Sequence, residues 1–292
     1  MKNKPLIITL IVLLSVLAIS LIGFMIRVMS GSLRFNFNHK ISTELIVDKI
    51  YDQTIDKLSI VAKQGDISIK TSSSNEARLV IYGEEKLTNY NLTGGTLTVS
   101  MDSKPCIGFC FNTTVPKIEV YLPENFTGNI DIDNKYGDIK VADFKNATMD
   151  IEADCGDVSV EEGSIVKINN HYGDITLKSA SEGTVTNDCG DIKIGNIATA
   201  KIENHYGNVS VDRITSYTNI KADCGDIRID ELYLTIDSKI ENNLGDIEIG
   251  KTNEIYISAK TSLGDTNIRN NYRESNIELK IENSCGNIDV KN

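Results

Sequence analysis

The chain has 292 residues, of which 40% are hydrophobic, and its 30 basic and 41 acidic residues give a formal net charge of −11. This acidic balance disfavours nucleic acid and anionic lipid surfaces as partners, because both carry dense negative charge. The chain contains only 4 prolines, and beyond its first segment it alternates apolar and polar residues with the period of two that indicates β-strands.

The first predicted element is a transmembrane anchor over residues 1–30. Pro5 to Ile26 form a run of 22 residues without a charge, which is long enough to cross a bilayer. A cleaved signal peptide is the alternative, although the sequence MSGS offers a poor cleavage site. We predict an uncleaved single-pass anchor in a bacterial cell membrane, with the short N-terminus inside and the bulk of the chain outside the cytoplasm.

The rest of the chain is predicted to form one extracytoplasmic domain. Residues 31–45 form a polar tether, and residues 46–292 form a β-solenoid with irregular first coils over 46–126 and regular repeats over 127–292. Only the segment ELIVDKIYDQ, at 44–53, has a pattern that leaves room for a helical turn. No change in composition marks a second domain.

The regular part repeats a short strand, a glycine corner and another short strand. A Gly-Asp or Gly-Asn pair recurs at steps of 17 to 22 residues, and an earlier copy stands at Gly65. The predicted corners are Gly137, Gly156, Gly173, Gly190, Gly207, Gly225, Gly245, Gly264 and Gly286. Fixed-period repetition of strand units predicts a β-solenoid, a single-stranded β-helix with coils of about 17–20 residues. We favour one repeat per coil, and two repeats per coil is the alternative.

Three columns of side chains are predicted to point into this solenoid. The residue before each corner gives Tyr136, Cys155, Tyr172, Cys189, Tyr206, Cys224, Leu244, Leu263 and Cys285. Two residues earlier lie Asn134, Ala153, Asn170, Asn187, Asn204, Ala222, Asn242, Thr261 and Asn283. Pairs of isoleucine and valine follow the corners, as in Ile192 and Ile194. Each inward asparagine must bond its neighbour or the corner backbone, because an unbonded buried amide is costly.

The cysteines fall into two groups. Cys155, Cys189, Cys224 and Cys285 occupy corner positions and are predicted to be small buried residues. Cys106 and Cys110 lie in the irregular segment PCIGFCFN. Since an export route favours oxidation, they are predicted to form a disulfide. A metal site there lacks further ligands.

Polar residues at the corners are predicted to be structural. Aspartate follows most corner glycines, where it can cap backbone N–H groups; weak calcium binding by stacked carboxylates is the alternative. His171 and His205 recur in the context NHYG and are predicted to face outward. The sequence contains no catalytic, cofactor or metal motif, so we predict no enzyme and no cofactor. An irregular patch of acidic residues with lysine or arginine would instead favour a polysaccharide-active enzyme.

The segments LSIVAKQGDISIK and KIEVYLPENFTGNIDIDNKYGDIKV, with the serial YGDI and CGDI corners, resemble the bacterial "putative adhesin" family, whose relatives include head GIN-domain proteins. The resemblance covers roughly residues 44–292. It implies a right-handed β-helix, one N-terminal membrane segment, and a frequent link to envelope stress. It implies no catalytic residue. The leading prediction is therefore a non-catalytic cell-surface module that binds a protein or glycan, and the alternative is an accessory in envelope-stress sensing.

Overall fold

A computed structural model describes residues 44–103 and 115–291 of the chain. The predicted anchor, most of the predicted tether, and Cys106 and Cys110 lie outside these ranges. Within them, no helix has the length and apolar character that a membrane span requires.

The described residues form a single sheet of twenty strands with one short 3₁₀ helix, Glu85–Leu87. The strands are β1 (Glu44–Tyr51), β2 (Lys57–Ala62), β3 (Asp66–Ser72), β4 (Ala77–Gly83), β5 (Thr88–Thr93), β6 (Thr96–Met101), β7 (Lys117–Pro123), β8 (Asn129–Tyr136), β9 (Ile139–Cys155), β10 (Val158–Tyr172), β11 (Ile175–Cys189), β12 (Ile192–Tyr206), β13 (Val209–Cys224), β14 (Ile227–Leu232), β15 (Ser238–Leu244), β16 (Ile247–Thr252), β17 (Tyr256–Leu263), β18 (Thr266–Ile268), β19 (Glu278–Cys285) and β20 (Ile288–Val290). The segment at 44–53 is thus mainly strand β1, because its backbone pairs with β4 along its length.

Successive repeats stack in register, so one repeat makes one coil. In β10 and β11, Val158 pairs with Ile175 and Asn170 pairs with Asn187, a constant offset of one 17-residue repeat. The same parallel pairing joins β9 to β10, β11 to β12 and β12 to β13. The predicted β-solenoid is confirmed, with about nine turns; its right-handed sense stays a prediction.

The core consists of the columns predicted from the isoleucine and valine pairs. Ile192 and Ile194 are 0% and 2% exposed, and the matching residues of the other regular coils are buried too, except in the outermost coil, where Thr266 is exposed and Ile268 is partly buried. Alternation places every second side chain of each strand inside, where it packs on its equivalents one coil away. Burial of this continuous apolar column is the main stabilising contribution to the stack.

The coils do not follow chain order at the N-terminal end. The coil at Gly65, formed by β2 and β3, pairs directly with β8 and β9, so Gly65 lies beside Gly137. On its other side it pairs with β6 and β7. Antiparallel strands then close this end, with β5 on β6, β4 on β7 and β1 on β4.

The order is also inverted at the C-terminal end. Strand β19 lies between β15 and β17, and β20 lies between β16 and β18. The coil at Gly286 is therefore inserted between those at Gly245 and Gly264. The outermost coil holds β17, and the Asn271 side chain accepts a hydrogen bond from Ile257 N–H at 2.9 Å and donates one to Ile257 O at 2.8 Å. This amide occupies backbone groups that an added strand would need.

Candidate functional site: the exposed corner

The corner glycines let the backbones of neighbouring coils approach more closely than residues with a Cβ atom would allow. All nine predicted corners have φ between +131° and +149°. A Cβ placed on Gly173 would lie 2.2 Å from the carbonyl oxygen of Gly156, and the other eight would meet the glycine of the adjacent coil at 2.1–2.3 Å. Both the backbone angle and the close approach exclude a side chain. The corner is thus an unbroken line of glycines along the stack.

Buried asparagines support this line from inside, as predicted. Asn170 is fully buried and donates hydrogen bonds from Nδ2 to the carbonyl oxygens of Gly156 and Gly173, each at 3.2 Å. Asn204 bonds Gly190 and Gly207 in the same way. The corner carbonyls therefore have partners, and the amides are structural.

The aspartates that follow the glycines form a second ladder, outside the first. The backbone N–H of Asp174 donates to Asp157 Oδ1 at 2.9 Å, and that of Asp191 donates to Asp174 Oδ1 at 2.8 Å. The ladder also runs through the inverted C-terminal coils, where Asn287 N–H donates to Asp246 Oδ1 and Asp265 N–H donates to Asn287 Oδ1. Among the described residues, no group of three or more acidic, histidine or cysteine side chains is arranged to hold a metal ion. These carboxylates serve to join adjacent coils.

The column of tyrosine, cysteine and leucine lies at the surface, so its predicted inward position is wrong. Tyr136, Tyr172 and Tyr206 are 58%, 59% and 62% exposed, and Leu263 is 70% exposed. The alternation fails here because the strand ends at the corner: Asn170 is the last inward side chain of its strand, and His171 and Tyr172 are both exposed. The four cysteines of the column are free and partly exposed rather than buried.

We call this column the corner stripe. In spatial order it comprises Tyr136, Cys155, Tyr172, Cys189, Tyr206, Cys224, Leu244, Cys285 and Leu263. In chain order the alternation of large and small residues breaks, because Leu244 and Leu263 are consecutive. The inverted C-terminal coils restore it, since Cys285 lies between the two leucines. The thiols remain two coils apart, roughly 10 Å, which is too far for a disulfide within the chain.

A column of alternating acidic and basic groups runs beside the stripe. His171 Nδ1 lies 2.6 Å from Asp188 Oδ2, and His205 Nδ1 lies 2.6 Å from Asp223 Oδ2. The His205–Asp223 hydrogen bond raises the pKa of the imidazole and lowers the pKa of the carboxyl. Both histidines face solvent, as predicted, and they bridge neighbouring coils.

A second cluster, in the irregular N-terminal coils, was missed by sequence reasoning. Glu119 is 7% exposed and pairs with Lys117 at 2.6 Å and Lys70 at 3.0 Å. Burial opposes its ionisation, but hydrogen bonds from these lysines and from a tyrosine hydroxyl outweigh that effect and hold its pKa at about 2. Arg78 and Asp48 form a bidentate pair next to it, at 2.7 and 2.8 Å.

This cluster combines acidic residues with lysine and arginine, a composition that would favour an enzyme. Its charged side chains, however, are already ion-paired with one another. A carboxylate with a pKa near 2 neither donates nor accepts protons effectively near neutral pH. The bidentate pair likewise leaves its guanidinium and carboxylate engaged. We therefore assign the Glu119 cluster a structural role, in which its side chains join four strands, β3, β7, β4 and β1, across their outer face.

Three solved structures are similar to this chain. A "putative adhesin" from Bacteroides fragilis is 15% identical, with a TM-score of 0.45, and the match covers 86% of this chain and 99% of that one. A "putative cell adhesion protein" from Clostridium sporogenes is 15% identical, with a TM-score of 0.27 and coverage of 85% and 99%. A "putative adhesin" from Parabacteroides distasonis is 10% identical, with a TM-score of 0.40 and coverage of 85% and 98%. At these scores we draw no conclusion about function from them.

No curated protein matches the chain. A family model described as Toastrack DUF4097 matches residues 55–203 and 184–292. The two overlapping matches cover almost all of the stacked coils, from the coil at Gly65 to the C-terminal end. The relation to head GIN-domain proteins stays a prediction. The chain belongs to the Toastrack DUF4097 family.

Proposed function

We propose that the chain is a non-catalytic binding module, held at the bacterial cell surface by residues 1–30, which contacts its partner through the corner stripe. The observation that carries the proposal is the exposure of Tyr136, Tyr172 and Tyr206, each more than half accessible and all in one column of the stack. Contiguous exposed apolar groups on a soluble domain are typical of interaction sites. Tyrosine is favoured there because it has an apolar ring and a polar tip.

The stripe is also rigid, which favours its use in recognition. Each of its residues except Leu263, in the outermost coil, ends a strand that is hydrogen-bonded on both sides within the stack, next to a glycine whose position allows no other residue. A preorganised surface loses little conformational entropy when it binds. We infer a partner that lies along the stack rather than one that enters a pocket.

Binding to whole cells tests the proposal. Fluorescently labelled full-length protein is added to cells of the source bacterium that lack their own copy, and the bound protein is measured by flow cytometry. A triple variant with Tyr136, Tyr172 and Tyr206 changed to threonine should lose most binding, since threonine retains the strand preference but lacks the ring. The matched control, Tyr272→Thr, removes an exposed tyrosine outside the stripe and should bind normally. Equal binding by the triple variant would contradict the proposal.

The predicted topology is tested separately. Protease added to intact cells should release the solenoid if it lies outside the cytoplasm. Complete protection would exclude a cell-surface role, whatever the stripe binds.

A further inference from the structure

The three stripe tyrosines recur with a fixed period. Tyr136, Tyr172 and Tyr206 occupy every second coil, and the coils between them carry the smaller Cys155 and Cys189. Since adjacent strands lie about 4.8 Å apart, the aromatic rings repeat roughly every 10 Å along the stack. A ligand that contacts all three rings must be extended and must itself repeat at that distance.

An extended β-1,4-linked polysaccharide has these properties. Its backbone is nearly straight, and its disaccharide repeat is close to the spacing of two coils, so sugars at equal intervals present equivalent faces. The apolar face of a pyranose ring packs well on the face of an aromatic ring, while its hydroxyl groups seek hydrogen-bond partners at the rim. An α-1,4-linked glucan curls into a helix and cannot follow a straight row.

Polar groups flank the row on both sides. One flank carries the column that includes His171, Asp188, His205 and Asp223, with exposed fractions between 36% and 48% for these side chains. The other flank carries the corner aspartates, which use Oδ1 to join the coils and have a second carboxylate oxygen each. These are the acceptors and donors that sugar hydroxyl groups require.

The charge of the flanks narrows the class of glycan. The corner flank is acidic, because aspartate follows most of the corner glycines, and the chain as a whole has a net charge of −11. A polyanionic glycan would be repelled along this flank, whereas a neutral one would not. A second copy of the chain is disfavoured as the occupant, because two chains that each carry a net charge of −11 repel each other.

We propose that the corner stripe binds a neutral, extended β-1,4-linked polysaccharide that lies parallel to the stack, with every second sugar on a successive tyrosine. This inference rests on the proposed function, because it names the partner of the same surface. Cell-wall and capsular glycans share this chemistry.

The experiment measures binding of two soluble probes, cellohexaose and chitohexaose, to the full-length protein in detergent by isothermal titration calorimetry. We expect at least one probe to bind the wild type. The Tyr136/Tyr172/Tyr206→Thr triple variant should bind about tenfold more weakly or worse, since stacked aromatic residues dominate such contacts. The corresponding triple change to phenylalanine retains the rings and should bind within a few-fold of wild type. Tyr272→Thr is the matched surface control.

Maltohexaose, which is α-1,4-linked, and a polygalacturonate oligomer should bind far more weakly than the preferred probe. Thermal melts check that each variant is folded. Equal binding of maltohexaose, or undiminished binding by a folded threonine triple variant, would overturn the inference. If neither β-1,4 probe binds while the threonine variant still loses cell binding, the glycan class is wrong and the proposed function stands. If the wild type self-associates and the threonine triple variant does not, the partner is a second copy of the chain and the glycan inference also fails.

Discussion

The corner glycines offer a sharp test of the stacking, and Gly190→Ala is the most informative change. Gly190 has φ of +140°, a region that side chains strongly disfavour, and an added Cβ would lie 2.1 Å from the carbonyl oxygen of Gly173. The backbone strain alone costs about 1–3 kcal/mol. Relieving the clash must also shift these two coils apart and weaken the hydrogen bond between them from Gly173 N–H to Cys189 O, now 2.9 Å, at a further cost of about 1 kcal/mol or more. We expect a total loss of about 2–4 kcal/mol.

The assay is urea unfolding of the full-length chain in detergent, combined with hydrogen exchange to locate the damage. Because each coil contacts only its neighbours, protection should fall first in the coils on either side of residue 190. Gly94→Ala is the matched control: Gly94 also has positive φ, +55°, but no atom lies within 4 Å of its added Cβ. That change should cost only about 1 kcal/mol. If Gly190→Ala cost no more than Gly94→Ala, the close approach of the coils would be wrong.

Three further changes address the coil order and the charged columns. With Leu244→Cys combined with Cys224→Ala, which removes the other cysteine next to residue 244, oxidation should produce a disulfide between residue 244 and Cys285, mapped by mass spectrometry; a stack in chain order would separate these residues and give none. His205→Gln should lower the melting temperature most below about pH 6.5, because the imidazole has a raised pKa beside Asp223 and its contribution is lost as pH rises through that value; an equal difference at pH 5.5 and pH 9 would refute this. Glu119→Gln should reduce the loss of stability between about pH 4.3 and pH 2, over which the carboxyl takes up a proton in the unfolded chain while the folded carboxylate, with its pKa of about 2, stays largely ionised; an unchanged acid profile would contradict the assignment.

The fold of the regular coils could be predicted because a single rule sets them. Alternation over a straight strand determines which side chains are buried, and glycine at a fixed interval marks each turn. Ile192, Asn170 and Gly173 therefore all have the positions that their pattern indicates. The asparagine contacts were also predictable, because a buried amide beside a corner has few other partners than the corner carbonyls.

The candidate site was mispredicted because the same rule was extended one residue too far. Tyr172 has the same parity as Asn170, but it is the last residue of its strand, directly before the corner at Gly173. His171 and Tyr172 are both exposed, so the alternation has already ended before the glycine turns the chain. A signal was present in the sequence: a column that alternates tyrosine with cysteine fills a uniform interior poorly, whereas a surface tolerates uneven volumes.

The inverted ends could not be predicted, because the repeats are so alike that any coil can pair with any other. The corners at Gly245, Gly264 and Gly286 have nearly the same surroundings in sequence. The only hints were the longer last step and the apparent break in alternation at Leu263. Similarly, the copy at Gly65 was visible, but its direct contact with Gly137 depends on the intervening strands forming an end layer, which local patterns do not specify.

The exposure of the corner stripe is the claim on which both the proposed function and the glycan inference depend. Hydroxyl-radical footprinting with mass spectrometry measures it directly, because the oxidation rate of a tyrosine follows its contact with solvent. We expect Tyr136, Tyr172 and Tyr206, at 58–62% exposure, to be oxidised much faster than Tyr51, at 6%. Protection of the three stripe tyrosines equal to that of Tyr51 would place the column in the interior and contradict the account.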